Sequence, residues 1–378
     1  MRFAAYMEGL AKAAGHRDRE EPLKDYCRGL LLPGERKSVE PMAARLDPDR
    51  VQAARQSLHH LVAKAPWSDE AVLAAVRAQV LPVMTRRQPM VAWIVDDTAI
   101  PKKGRHSVGV ARQYCGQLGK QENCQVAVTL SVATWRASLP AAYRLYLPRE
   151  WAEDRARRKK AGVPEEVKFQ TKPEIALDQI RQAVAAELPR GVVLADAGYG
   201  SDTRFREGLG ALGLSYVVGV LGTTPACRGA GDGVAARQAP RPHGPPPALP
   251  GRSPTHRPVS VRELVIQMGE KALRRVSWRE GTNKKLQSRF VAVRVRPAHR
   301  DYWRRSRTRS CGCWLSGRGA LPNRPNTGCR ICRLTPRCES WSGGPSTAGS
   351  SSATIWSLNR SWAWGISRVA VGGAFITM

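Results

Sequence analysis

Two apolar runs of β type, each ending in acid, set the frame into which the rest of this chain must fit. Val91–Val95 leads into Asp96 and Asp97, and Val192–Ala195 leads into Asp196. Both runs suit buried strands, and the residues after each acid read as turn rather than further strand. Asp96 or Asp97 and Asp196 are therefore expected at strand ends, where they can meet. A hard divalent cation such as Mg2+ takes oxygen ligands, and carboxylates at the C-terminal edge of adjacent strands can hold one or two such ions while leaving positions for phosphate oxygens. The plainer alternative is that Asp97-Thr98 and Asp196-Ala197 are turn or helix-cap acids. The pairing of two such acids, with a basic segment between them, favours the metal site.

The 378 residues carry a net charge of +30, with a pI near 10.7. Such an excess calls for a polyanionic partner, most simply nucleic acid. Part of it is local. Tyr302–Met378 holds 11 Arg, no Lys and one acid, Glu339, and Gly222–Arg257 holds 5 Arg and one acid, Asp232. The excess over the remaining, ordinarily patterned sequence still supports the nucleic-acid reading. No run of 18 apolar residues and no signal-like start is found, so a membrane is not expected and the compartment is read as cytoplasmic.

Apolar spacing divides the chain. Residues 1–88 read as a helical N-terminal domain and a candidate DNA-binding unit, with helices in Glu40–Lys64, broken at Pro48, and in Asp69–Met84 behind Ser68 as N-cap. Residues 89–221 change to strands, Val91–Val95, Gln125–Ala133 and Ala142–Leu147. A helix Glu174–Ala186, a strand Gly191–Ala195, a helix Asp202–Leu212 and a strand Leu214–Val220 complete this region. That order predicts an α/β fold with a mixed sheet, compatible with a ribonuclease-H-like core. No element is expected in 222–257. Residues 258–303 read as a β-containing insertion with a helix Val261–Ala272 and strands Arg275–Trp278 and Arg289–Val295.

Between the first two strands lie Lys102, Lys103 and Arg105, then Arg112 and Lys120. Cations beside an acidic site are what a phosphodiester substrate requires, since they neutralise backbone phosphates. A second basic run, Arg155–Lys160, is expected on an exposed loop, either as part of that surface or as a solvated cluster.

The segments LPGERKSVEPMAARLDPDRVQAARQSLHHLVAKAPWSDEAVL, WIVDDTAIPKKGRHSVGVARQYCGQLGKQENCQVAVTLSVA, SLPAAYRLYLP, FQTKPEIAL and VVLADAGYG resemble bacterial insertion-sequence transposases of the DDE superfamily. The resemblance covers about Leu32–Val220 and about Val259–Trp303. It implies a ribonuclease-H-like core in which three acids and Mg2+ (or Mn2+) cut double-stranded DNA at the element ends and join a freed 3′ hydroxyl to target DNA. The first acid falls on Asp96, with Asp97 as the near-equal alternative, and the second on Asp196. A homodimer is an assembly left open.

The family's third acid, a Glu in a C-terminal helix, has no counterpart here. Glu339 lies in CESWSGG, which is not helical in pattern. A tail with no Lys, abundant Arg, Gly, Ser, Trp and Cys, and no apolar period is what a GC-rich gene yields out of frame. A frameshift is therefore expected near Trp303–Arg307, with a compensated pair around Gly222–Arg257, leaving residues 304–378 poorly packed. On this reading the protein is a transposase inactive in this form, and the alternative is a non-catalytic DNA-binding protein. Cys311, Cys313, Cys329, Cys332 and Cys338 match no common zinc spacing.

Overall fold

Polar caps and proline set the helix ends of the first of two compact units, Met1–Pro89 and Met90–Met378. The structure, a computed structural model, describes residues 2–228, 258–280, 284–298, 311–316 and 329–333. The first unit contains α1 (Arg2–Ala13), a 3-10 turn at Arg17–Arg19, α2 (Glu20–Leu31), α3 (Val39–Leu46), α4 (Val51–Ala63) and α5 (Asp69–Thr85). The break between α3 and α4 falls at Pro48, where the Asp47 carboxylate accepts from the Arg50 amide at 3.1 Å. Ser68 caps α5, its Oγ accepting from the Ala71 amide at 3.2 Å. Met42, Ala43 and Leu58 form a buried cluster with Tyr26 and Leu46 packed against it.

The second unit runs β1 (Ala92–Pro101), β2 (Ala111–Cys115), β3 (Lys120–Ala133), β4 (Ser138–Leu145), α6 (Arg149–Glu153), α7 (Arg155–Lys160), α8 (Lys172–Ala185), β5 (Val192–Ala195), α9 (Ala197–Gly200), α10 (Thr203–Ala211) and β6 (Tyr216–Val220). It continues with β7 (Pro225–Arg228), β8 (Val259–Ser260), α11 (Val261–Met268), β9 (Arg274–Glu280), β10 (Lys284–Pro297), β11 (Cys311–Ser316) and β12 (Cys329–Arg333).

Its centre is the series β4, β3, β1, β5, β6. The first two pairings are antiparallel and the last two parallel. Residues 172–185, between β4 and β5, form α8, which packs on β3 and β4. This mixed sheet with covering helices is the ribonuclease-H-like fold. α8 is tied to the sheet by sequence chemistry. Thr171 and Glu174 form a reciprocal capping box, and Ile175, Ala176, Ile180 and Ala183 are buried. The buried Gln179 amide donates to the Val128 carbonyl at 3.0 Å. Among the described residues no helix is long and apolar enough to cross a membrane.

Several expectations need correction. β1 does not end before its acids. β3 offers an antiparallel partner to every residue from Ala92 to Pro101, so Asp96 and Asp97 stay extended within the ladder. The basic stretch after β1 contains a strand, β2, which pairs with the start of β3. Arg155–Lys160 is a helix, not a loop, because Asp154 accepts from the Arg157 amide at 2.9 Å as an N-cap. Pro225–Arg228, expected to be without structure, is a strand against β10 and β8. The helix at Val261 stops at Met268, since Gly269 takes φ 72° and turns the chain.

Within the tail expected to pack poorly, β11 and β12 pair with each other, β11 also with β10, and β12 with β6. Glu339, Cys338 and residues 229–257 lie outside the described residues.

Candidate active site

The parallel pairing of β1 with β5 aligns Ala92 with Val192, Trp93 with Val193 and Ile94 with Leu194. The offset brings Asp96 and Asp196 to equivalent positions, each two residues beyond the last pair. β5 then ends, and Asp196 starts α9, its Oδ1 accepting from the amides of Gly198 at 2.9 Å and Tyr199 at 3.3 Å. Asp196 is thus the helix-cap acid that the plainer reading described, and it also borders β1.

Two glycines permit this approach. A methyl group on Gly219 of β6 would lie 2.7 Å from the Ala197 nitrogen and 2.9 Å from the Asp196 carbonyl carbon. One on Gly200 would collide with the Gly219 carbonyl oxygen and with Val218. α9 therefore rests directly on β6, which fixes the backbone that presents Asp196. Trp93 anchors the start of β1, donating from Nε1 to the Pro189 carbonyl at 2.9 Å.

Successive strand residues face opposite sides of a sheet, so Asp96 and Asp97 diverge. Asp97 meets two groups that the sequence alone does not single out. Lys172, at the start of α8, donates to Asp97 Oδ2 at 2.5 Å, both side chains being about a third exposed. The Tyr199 hydroxyl donates to Asp97 Oδ1. Tyr199 is buried against Phe205, and burial first, then the Asp97 charge, raises its proton affinity, so it stays a donor. Asp96 Oδ1 accepts from the Asp97 amide at 2.7 Å.

The three carboxylates interact. Burial raises the Asp96 carboxyl to about 6, with the charges of Asp97 and Asp196 adding to the rise and the Asp97 amide and Lys172 opposing it. Asp196 is also raised, by burial first and then by Asp97, against the amides of Tyr199 and Gly198 and against Lys172. Lys172 is thus coupled to all three acids. Three carboxylates and one ammonium leave excess negative charge on hard oxygen donors, which fits a divalent cation in both charge and chemistry. The spacing is not yet that of a ligand cage. Among the described residues no three acidic, histidine or cysteine side chains are gathered closely enough to hold an ion as they stand.

The candidate phosphate-binding residues fall into two groups. Lys102, Lys103 and Arg105 come just after the end of β1, where the Asn123 side-chain amide donates to the carbonyls of Lys102 at 2.7 Å and Gly104 at 2.9 Å. Arg112 lies opposite Asn123 on β2 and is exposed. Lys120 pairs with Glu122 at 3.2 Å, which neutralises part of its charge.

The DDE superfamily endonuclease family matches residues 8–285, about three-quarters of the chain. The chain belongs to that family. Endonucleases of this superfamily generally use divalent metal ions, which agrees with the donor set at Asp96, Asp97 and Asp196. The chain is also 35% identical over 167 residues to a probable transposase for insertion sequence element IS701 from Microchaete diplosiphon. That match covers 44% of this endonuclease-family chain and 40% of the relative.

Lys172 and Tyr199 both lie in segments that carry the family resemblance, FQTKPEIAL and VVLADAGYG. Lys172 carries a usable signal, a cation at the first turn of a helix announced by Pro173. Tyr199 gives none, because an aromatic residue after a strand is ordinary core.

Proposed function

We propose that this protein is the DNA transposase of an insertion sequence, built for metal-dependent cleavage of element ends and strand transfer into target duplex DNA. The observation that carries the reading is the electrostatic coupling of Asp96, Asp97 and Asp196 past the end of the parallel β1–β5 pair, next to a cationic loop. The relative from Microchaete diplosiphon supports it.

Asp96, or Asp97 as the near-equal alternative, would hold Mg2+ together with Asp196, with Mn2+ as the alternative ion. When bound, the ion supplies Lewis-acid stabilisation of the phosphoryl group and an activated water or 3′ hydroxyl. The chain's own residues do the positioning. The α9 amides orient Asp196, and the Tyr199 hydroxyl and Lys172 fix Asp97. Lys102, Lys103, Arg105 and Arg112 would grip strand phosphates, with Lys120 contributing less because Glu122 competes.

We read the protein in this form as defective in cleavage, because no Glu in its sequence matches the third acid and the composition after Trp303 fits an out-of-frame tail. The alternative is a non-catalytic DNA-binding protein, in which the basic residues still grip DNA while two acids assemble no competent site. Mg2+-dependent nicking of DNA carrying the element's own ends separates the readings. Metal-dependent nicking that Asp196→Asn abolishes supports the enzyme and removes the defect. Tight DNA binding without nicking, in a chain that binds Mn2+ through Asp196, supports the defective transposase. Binding of DNA with no affinity for metal supports the non-catalytic protein. Resequencing the gene across the codons for Gly222 to Arg307 tests the frameshift.

A further inference from the structure

We propose that the loop 102–107 and α7, some fifty residues apart in sequence, form one phosphate-binding ridge that holds the backbone of duplex DNA next to the acids. This rests on the nucleic-acid reading above and adds residues that it did not use.

Arg157 joins the two segments. Its guanidinium donates to the Arg105 carbonyl at 2.9 Å and stacks on the Trp151 ring at 3.7 Å from the centroid. Trp151 is fully buried with Val110 and Leu147, and its Nε1 donates to the Val110 carbonyl at 2.7 Å. The stack is therefore built on a fixed post. Arg158 fastens α7 from its other side, donating to the carbonyls of Ala152 at 3.1 Å, Pro164 at 2.7 Å and Val167 at 2.9 Å.

Two of the five cations in α7 thus serve the architecture, and Arg155, Lys159 and Lys160 remain exposed. Lys103 and Arg105 are exposed beside them, with Lys102 half-buried. Among the described residues none of these six forms an ion pair. Two neighbouring acids are engaged, Asp154 as the cap of α7 and Glu153 with Arg149 at 3.4 Å. Exposed cations without an ion pair, on a helix held in place by a buried tryptophan, are suited to a polyanion. They are also within reach of the site. Lys102 comes five strand residues after Asp97, at most about 17 Å at ~3.3 Å per residue. That is roughly five base pairs of duplex at ~3.4 Å per step. One helix of DNA can therefore touch both places.

The test is fluorescence anisotropy of the full chain with a labelled DNA duplex of arbitrary sequence across a salt series. The triple variant Arg155→Ala, Lys159→Ala, Lys160→Ala should lower the magnitude of the log-log salt slope by about 2–3, at ~0.9 per lost phosphate contact, and weaken binding on the order of tenfold. Its affinity for Mn2+ should match wild type, since these residues are not near the carboxylates in sequence or in ion pairing. A triple variant with wild-type affinity and slope overturns the ridge while leaving the acidic site standing. Wild-type protein that fails to bind duplex overturns the ridge and the nucleic-acid reading together. Tighter binding of an RNA duplex than of a DNA duplex also overturns it, in favour of an RNA partner. Arg157→Ala adds a positioning control: it should weaken duplex binding although Arg157 makes no phosphate contact, and unchanged binding in a folded Arg157→Ala protein counts against the joint.

Discussion

Lys172 and Asp97 form an ion pair at 2.5 Å across 75 residues of sequence, linking the first turn of α8 to the middle of β1. The same ammonium opposes the raised proton affinities of Asp96 and Asp196. A divalent cation at the carboxylates has to compete with this built-in charge. Replacing Lys172 by Met removes the competitor, and the apparent affinity for Mn2+ should rise about tenfold, the ~1.4 kcal/mol scale of a one-unit electrostatic change. Isothermal titration of the two proteins measures it, and an unchanged or weaker affinity speaks against the competition.

Tyr199→Phe keeps the ring against Phe205 and removes the hydroxyl donated to Asp97. The loss of a hydrogen bond to a charged group should lower stability by about 1–3 kcal/mol. Chemical denaturation gives the value. A variant as stable as wild type would show that the hydroxyl contributes nothing to fixing Asp97.

At Gly219 the added methyl of Ala meets the backbone of Asp196 and Ala197 below 3 Å. Backbone, unlike a flexible side-chain tip, cannot move aside cheaply. Gly219→Ala should cost about 1–3 kcal/mol, the usual range for overpacking, and weaken Mn2+ binding by displacing Asp196. Thermal unfolding with and without Mn2+ reads both effects, and full retention of the Mn2+ response would mean that β6 does not set the position of Asp196.

Asp96 gives stability a pH dependence of definite sign. Its folded-state value, about 6, exceeds the ordinary 3.8, so the folded protein holds a proton that the unfolded chain releases. Stability contributed by this group is present at acid pH and is lost as pH rises from about 4 to about 6. Asp196, also raised, acts in the same direction. Asp96→Asn removes the titration. Its stability relative to wild type should therefore improve with rising pH, by something on the order of 2 kcal/mol between pH 4 and 7. A difference that stays flat with pH would place Asp96 in a more solvated setting than β1 gives it.

Much of the core is legible in the residues themselves. β5, α8 and α10 arise from a short apolar run, from Pro173 behind a Thr-Glu capping box, and from Asp202 accepting the Phe205 amide. The features that sequence misplaces depend on partners distant along the chain. Asp96 and Asp97 look like strand-end acids because acids rarely continue a strand, yet β3 pairs with them throughout. Arg155–Lys160 has no apolar face and reads as loop. It is helical because Asp154 caps it, and because Trp151 and the carbonyls reached by Arg157 and Arg158 hold it. The candidate site shows the same division. Its acids stand out as residues, whereas Lys172 and Tyr199 gain meaning only once β1, α8 and α9 are side by side.

The most direct test of the metal site is a Mn2+ titration followed by electron paramagnetic resonance of the free ion, comparing wild type with Asp196→Asn and with Asp96→Asn/Asp97→Asn. Wild type should take up Mn2+, and each variant should bind it at least about tenfold more weakly, one coordinating carboxylate being worth more than ~1.4 kcal/mol. Equal uptake by all three proteins would contradict the assignment of these aspartates as the metal-binding acids.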